Sequence, residues 1–259
     1  MNRLRQPPLY LFGKTALEHF AAFMDERTLF AFDLDGTLAP IVSDPSQIEI
    51  PQPVQRALAA LADIAPVAII TGRSRSDARK YLHFTPRYLI GNHGAEGLPG
   101  WSDRETVFVR DAESWQRQLA CLLPPEEQSG IVIENKGPTI ALHYRRAVDI
   151  RQAQDSIAAA LTGLEPRPRL IGGKFVKNLL PEDAPDKALA LKTLMRRENI
   201  SKSVFAGDDE TDEDIFRIGN PNIFTVRVGR KPESRAAYYL RSPLETGRML
   251  RIINVRLAR

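Results

Sequence analysis

The chain has 259 residues, a formal charge of +4, 43% hydrophobic and 26% charged residues, which excludes a disordered, collagenous or low-complexity chain. That length suits a core domain with a smaller companion. The single cysteine, Cys121, excludes an internal disulfide and a zinc cluster built from cysteines, and it fits a reducing, cytoplasmic setting. No apolar run is long enough for a signal peptide or a membrane span. The basic residues are scattered, densest from Arg227 to Arg259, and lack the interleaved aromatics of a nucleic-acid surface, so they read as a solvated face.

In chain order, Thr28 to Leu34 is a short apolar run that ends in acidic residues and Gly36, the pattern of a buried strand. A helix is predicted over Val54 to Ala62, a strand over Pro66 to Thr71, a helix over Ser74 to Leu82, and a strand over Arg87 to Ile90. Strands alternating with helices predict a doubly wound parallel sheet. The pattern then changes. Helix Asp111 to Leu123, strands Ile131 to Glu134 and Thr139 to Tyr144, helix Asp149 to Leu161, and strands Arg169 to Ile171 and Lys174 to Leu179 predict a separate small antiparallel sheet. The α/β pattern returns with helix Pro185 to Arg197, strand Ser203 to Ala206, helix Thr211 to Ile218 and strand Ile223 to Val228. The resulting division is a core of residues 1–108 and 184–259, interrupted by an inserted α+β domain at 109–183.

Chemistry concentrates where the core strands end. Asp33 and Asp35 flank Leu34 before the flexible Gly36, so two carboxylates stand at the carboxyl end of a strand, where open parallel sheets bind ligands. An acidic strand-ending turn is the bland alternative. Thr71-Gly72-Arg73 offers a hydroxyl and backbone amides to phosphoryl oxygens at the next strand end, although Thr71 and Ser74 could equally cap a helix. Lys187 opens a helix and can neutralise a phosphorylated carboxylate. The stretch Phe205 to Asp214 holds six acids in ten residues. Glu213 and Asp214 read as an acidic helix start. Asp208, nearest the strand, reads instead as a ligand for Mg²⁺, a hard cation held by carboxylates and phosphate, together with Asp33 and the backbone carbonyl of Asp35. Asp212 can orient a metal-bound water or Lys187, with Asp209 beside it in a supporting layer.

Taken in order, Asp33 to Thr37, Thr71, Lys187 and Gly207-Asp208-Asp209 with Asp212 resemble the four motifs of the haloacid-dehalogenase phosphatases. The resemblance implies Asp33 as nucleophile, forming an aspartyl-phosphate, and Asp35 as general acid and then base. From Phe30 to Leu240 the chain is similar to the trehalose-6-phosphate phosphatases. The matches include Gly91 to Glu96, Glu134-Asn135-Lys136, His143-Tyr144-Arg145 and Gly173 to Val176. That resemblance implies a haloacid-dehalogenase-like core with a mobile cap, and a small-molecule sugar phosphate as the partner; a monomer is expected, with neither nucleic acid nor membrane as partner. It implies that Glu134, Lys136, Arg145 and Lys174 bind glucose hydroxyls, while Arg73 and Asn92 serve the phosphate end. Asn178 falls at the sugar-binding position where the family usually carries glutamate, and after Lys187 the family commonly has glycine where this chain has Ala188. A different sugar phosphate, or a sugar-phosphate sensor without turnover, are the alternative readings.

Overall fold

The computed structural model describes residues 7–258, so Arg259 of the basic C-terminal stretch lies outside the described residues. The chain opens with β1 (Leu9–Tyr10) and α1 (Lys14–Phe23), followed by β2 (Leu29–Phe32), α2 (Gln52–Ala62), β3 (Val67–Ile70), α3 (Arg75–Arg79) and β4 (Tyr88–Ile90). Then come α4 (Ser102–Leu122), α5 (Glu126–Ser129), β5 (Val132–Asn135), β6 (Ile140–His143), α6 (Ile150–Thr162), β7 (Arg169–Gly173) and β8 (Val176–Leu180). The last part is α7 (Lys187–Arg197), β9 (Ser203–Gly207), α8 (Glu213–Phe216), β10 (Ile223–Val228), β11 (Tyr238–Leu240) and α9 (Thr246–Leu257). Contacts divide the chain into two compact units, one ending at Gly94 and resuming at Asp186, the other Ala95–Pro185.

The first unit holds a seven-stranded sheet in the order β1-β11-β10-β9-β2-β3-β4, and every pairing is parallel. Its central strands β2, β3, β9 and β10 are buried at every residue, which is why they read as continuous apolar runs instead of alternating ones. From β2 the chain winds outward through β3 and β4; from β9 it winds the other way through β10 and β11. The order therefore reverses between β2 and β9, and the crevice at their carboxyl ends is where such sheets bind ligands.

The second unit is an antiparallel sheet in the order β5-β6-β8-β7. Ile140, Leu142 and Leu179 of the sheet pack with Trp115 and Leu119 of α4 and Ile157 of α6. Helix α4 begins nine residues before the Asp111 start that the sequence suggested, since Ser102 lies nine positions ahead of it. Phe108, fully covered against Ala95, Leu180 and Ala184, explains the extension: the extra turns bury an aromatic. The short β1 and the helices α1 and α9, absent from the sequence reading, complete the first unit. Strand β1 offers only two residues to a pattern, and α1 and α9 gain their stability from the aromatic and aliphatic face they bury.

Trp115 is fully buried and its indole N–H donates to the Pro166 carbonyl at 2.6 Å. Trp115→Ala removes both contributions and is expected to destabilise the second unit by about 3–5 kcal/mol. Faster hydrogen exchange at the β5 to β8 amides, with the β2 and β9 amides unchanged, is the outcome that checks this.

Candidate active site

Three side chains converge at the point where the sheet order reverses. Asp33 follows the last residue of β2, and its amide donates to the Ala206 carbonyl at 2.9 Å, so the β2–β9 ladder continues into the site. Lys187 Nζ donates to Asp33 Oδ1 at 3.0 Å and to Asp212 Oδ1 at 2.8 Å. All three side chains are buried, at 1% exposure for Lys187, 6% for Asp33 and 0% for Asp212. A cation at the first position of a helix runs against the helix dipole, and burial opposes its charge; the two carboxylates hold it there. Burial opposes protonation of Lys187, but Asp212 and Asp33 outweigh it and hold its pKa well above the ordinary lysine value.

Carboxyl oxygens of Asp33, Asp208 and Asp212 lie within 4.8 Å of one another. Burial pushes Asp208 up to about 7, reinforced by Asp212 and Asp209. It likewise raises Asp212 to about 6, against the pull of Lys187. Asp33 is raised well above its usual range by burial, with Asp212 and Asp208 adding to the effect against Lys187. Lys187 alone thus leaves this group short of positive charge, and its hard oxygen donors fit a divalent cation.

The loops are built to bring these oxygens together. Gly36 has φ +77°, and a Cβ there would stand 2.1 Å from Asp208 Oδ2, so only glycine lets the turn after β2 reach the β9 loop. Thr37 Oγ1 donates to Asp208 Oδ1 at 3.2 Å, and Thr246 of α9 ties the Thr37 carbonyl at 2.8 Å. Asp212 Oδ2 accepts the amides of Asp208 and Asp209 at 2.8 and 3.0 Å. Asp209 closes the same turn by accepting from Thr211 N at 2.8 Å and Asp212 N at 3.2 Å.

Thr71, buried after β3, accepts the Arg73 amide at 3.2 Å, and its own amide donates to the Ile90 carbonyl at 2.9 Å. Asn92 is buried in the next loop at φ +49°, where its amide donates to the Arg73 carbonyl at 2.7 Å. The Arg73 guanidinium grips Asp35, with Nε to Oδ2 and Nη2 to Oδ1 both at 2.7 Å.

Glu134, Lys136, Arg145, Lys174 and Asn178 all belong to the second unit. Glu134, Ala141, Asn178 and Ile171 are register partners across the four strands, so their side chains share one face, opposite the Ile140, Leu142 and Leu179 face. Glu134 and Asn178 stand two strands apart, about 10 Å. Glu134 Oε2 is 2.7 Å from His143 Nε2. Lys136 and Lys174 occupy the two hairpin turns, and the Arg145 guanidinium stands over the Phe175 ring at 5.6 Å.

Two side chains not expected at the site brace the Asp208 loop. Arg227 of β10 donates to the carbonyls of Asp208 and Asp209, and pairs with Glu213 at 3.1 Å. Glu213, read from sequence as part of an acidic helix start, is buried at 3% exposure and also accepts the Arg235 amide at 2.8 Å. The signal in sequence was an arginine inside the apolar run Ile223 to Val228.

The sequence profile of the trehalose-phosphatase family matches residues 31–243, which span both carboxylate loops, Lys187 and the inserted unit. This chain belongs to the trehalose-phosphatase family. The probable trehalose-phosphate phosphatase D of Arabidopsis thaliana is 29% identical over 260 residues, covering 91% of this chain and 70% of that protein. The trehalose-6-phosphate phosphatase of Aspergillus fumigatus, crystal form 3, superposes at TM-score 0.62 with 26% identity, over 97% of this chain and 99% of that one. The C-terminal domain of the C. albicans trehalose-6-phosphate phosphatase shares the fold at TM-score 0.67 and 21% identity, over 98% and 99% of the two chains.

Lys187→Met leaves Asp33 and Asp212 buried without their cation and is expected to cost about 3–5 kcal/mol at neutral pH. Without Lys187 both carboxyls lose the cation that lowers them and rise further, so as pH falls the folded variant takes up protons before the wild type does. The stability deficit therefore shrinks as pH falls from neutral toward the ordinary carboxylate range near about 4. Denaturant melts at a series of pH values check the sign.

Proposed function

We propose that this phosphatase hydrolyses trehalose 6-phosphate to trehalose and phosphate through an aspartyl-phosphate on Asp33. The observation that carries the reading is the buried Asp33–Lys187 pair beside Asp208, at the reversal of the sheet, in a chain of this family. Asp33 attacks phosphorus as the bond to the sugar oxygen breaks, and Asp35 gives that oxygen a proton. Water then attacks the same phosphorus, Asp35 takes a proton from it, and the bond to Asp33 breaks to release phosphate. Thr71 and the loop amides around it hold phosphoryl oxygens, and Lys187 balances the charge carried by Asp33 in both steps.

Asp33, Asp208 and the carbonyl of Asp35 would hold Mg²⁺, with Asp209 and Asp212 supporting. The ion, when bound, supplies positive charge to the phosphoryl group. Its donors are supported by the crowding of three carboxylates around one lysine. In the 95–185 unit, assigned as the cap, Glu134, Lys136, Arg145, Lys174 and Asn178 are proposed to bind the sugar, and Arg73 and Asn92 to serve the phosphate end, Arg73 through its grip on Asp35. The neutral Asn178 favours one second reading, a related sugar phosphate. The enzyme is taken to act as a cytoplasmic monomer, a setting that the single cysteine suits; among the described residues no helix is long and apolar enough to cross a membrane.

Purified protein is expected to release phosphate from trehalose 6-phosphate faster than from sucrose 6-phosphate or glucose 6-phosphate, and folded Asp33→Asn to release none. A better rate on another member of that panel overturns the substrate; turnover by Asp33→Asn overturns the nucleophile.

Mg²⁺ is expected to restore activity lost to EDTA. It should also stabilise the fold by roughly 2.7 kcal/mol when the free ion stands at about 100 times its Kd. The Asp208→Asn variant should lose that thermal shift. An unchanged shift in the variant would remove Asp208 from the ligand set.

A further inference from the structure

The grip of Arg73 on Asp35 is itself held from behind. Arg73 Nη1 donates to Asp77 Oδ2 at 2.6 Å, and the guanidinium carbon lies 4.9 Å from the centre of the Tyr81 ring. Asp77 is fixed in turn by its place on α3, whose capping Ser74 accepts the Asp77 amide at 3.2 Å. The chain of contacts therefore runs from α3 through a planar fork to both oxygens of Asp35. A guanidinium bound through all three of its nitrogens and lying over a ring has one orientation, and a carboxylate held bidentately shares its plane. The Asp35 side chain is 37% exposed and precedes Gly36 in its turn, and among the described residues no other side chain fixes its direction.

We propose that Arg73, braced by Asp77 and Tyr81, is a positioning residue for Asp35, aiming the carboxylate that exchanges protons with the sugar oxygen and with water. This rests on the role of Asp35 given above, and it gives Arg73 a task distinct from holding substrate. The structural reason is economy of direction: a proton-transfer group contributes only when its oxygen lies within hydrogen-bond reach of the reacting atom. Displacement by about 1 Å is enough to cost on the order of 10²-fold.

The test is a double-mutant cycle with trehalose 6-phosphate and saturating Mg²⁺, reading kcat and KM separately. Arg73→Ala is expected to lower kcat by about 10- to 100-fold with KM changed by less than about threefold. Millimolar guanidinium should recover part of that loss. Asp77→Asn, which keeps Arg73 and the fold, should lower kcat by a smaller factor in the same direction. In an Asp35→Asn background the further loss from Arg73→Ala should fall below about twofold, because no carboxylate remains to aim. A raised KM at unchanged kcat, or an equal loss from Arg73→Ala in the Asp35→Asn background, overturns the positioning role. Full activity of Asp35→Asn by itself instead overturns the underlying acid–base reading, so the two failures are distinguishable.

Discussion

The buried triad of Lys187 with Asp33 and Asp212 is the constraint around which the first unit is arranged. No member of it is tolerable alone in that environment, since an uncompensated buried charge costs several kcal/mol. Each member therefore has to arrive from its own element at the same depth: Asp33 from the end of β2, Asp212 from the turn before α8, Lys187 from the start of α7. Only neighbouring strands whose connections depart in opposite directions leave a crevice for three such elements. The parallel order with its reversal between β2 and β9 supplies that crevice.

Around the triad, the loops are fixed by groups that do no chemistry themselves. Asp212 accepts two backbone amides while also accepting from Lys187, so one carboxylate shapes the loop and orients the cation at once. Arg227 and Glu213 hold the same loop from the β10 side, and Thr37 with Thr246 holds the opposing turn. Preorganisation of this kind spares the reorganisation that water would otherwise need when charge develops on a transferring phosphoryl group. The rigidity is local and electrostatic, and it is laid on a sheet whose central strands are buried at every residue.

How legible this was in the sequence depended on whether a residue acts through its neighbours in the chain. Asp33, Asp35, Gly36 and Asp208 stand at the ends of short apolar runs, and the strand ends place them on one edge. The pairing of Glu134 with His143 and the shared face of Glu134 and Asn178 depend on strand register, which alternation alone does not specify. Glu213 does open α8 as an acidic helix start, but its burial and its pairing with Arg227, fourteen positions on, are not written in the local pattern. The early start of α4 was hidden because Phe108 packs against Leu180 and Ala184, contacts that no local pattern encodes. Arg73 was visible as a cation beside Thr71, but its grip on Asp35 spans 38 positions and is a property of the fold alone.

The sheet of the first unit is assembled from both ends of the sequence. Leu9 and Tyr10 pair with Tyr238 and Tyr239, and β2 pairs with β9 across the whole inserted unit. The described strands of the inserted unit, by contrast, pair with one another within Ala95–Pro185. On a ribosome the insert can therefore complete its own sheet while β2, β3 and β4 still wait for their missing neighbours. Those three strands are strongly apolar, and an unpaired parallel edge of that character invites association with other chains. The interval between synthesis of β4 and emergence of β9 is the stretch of this protein's life in which chaperone protection matters most.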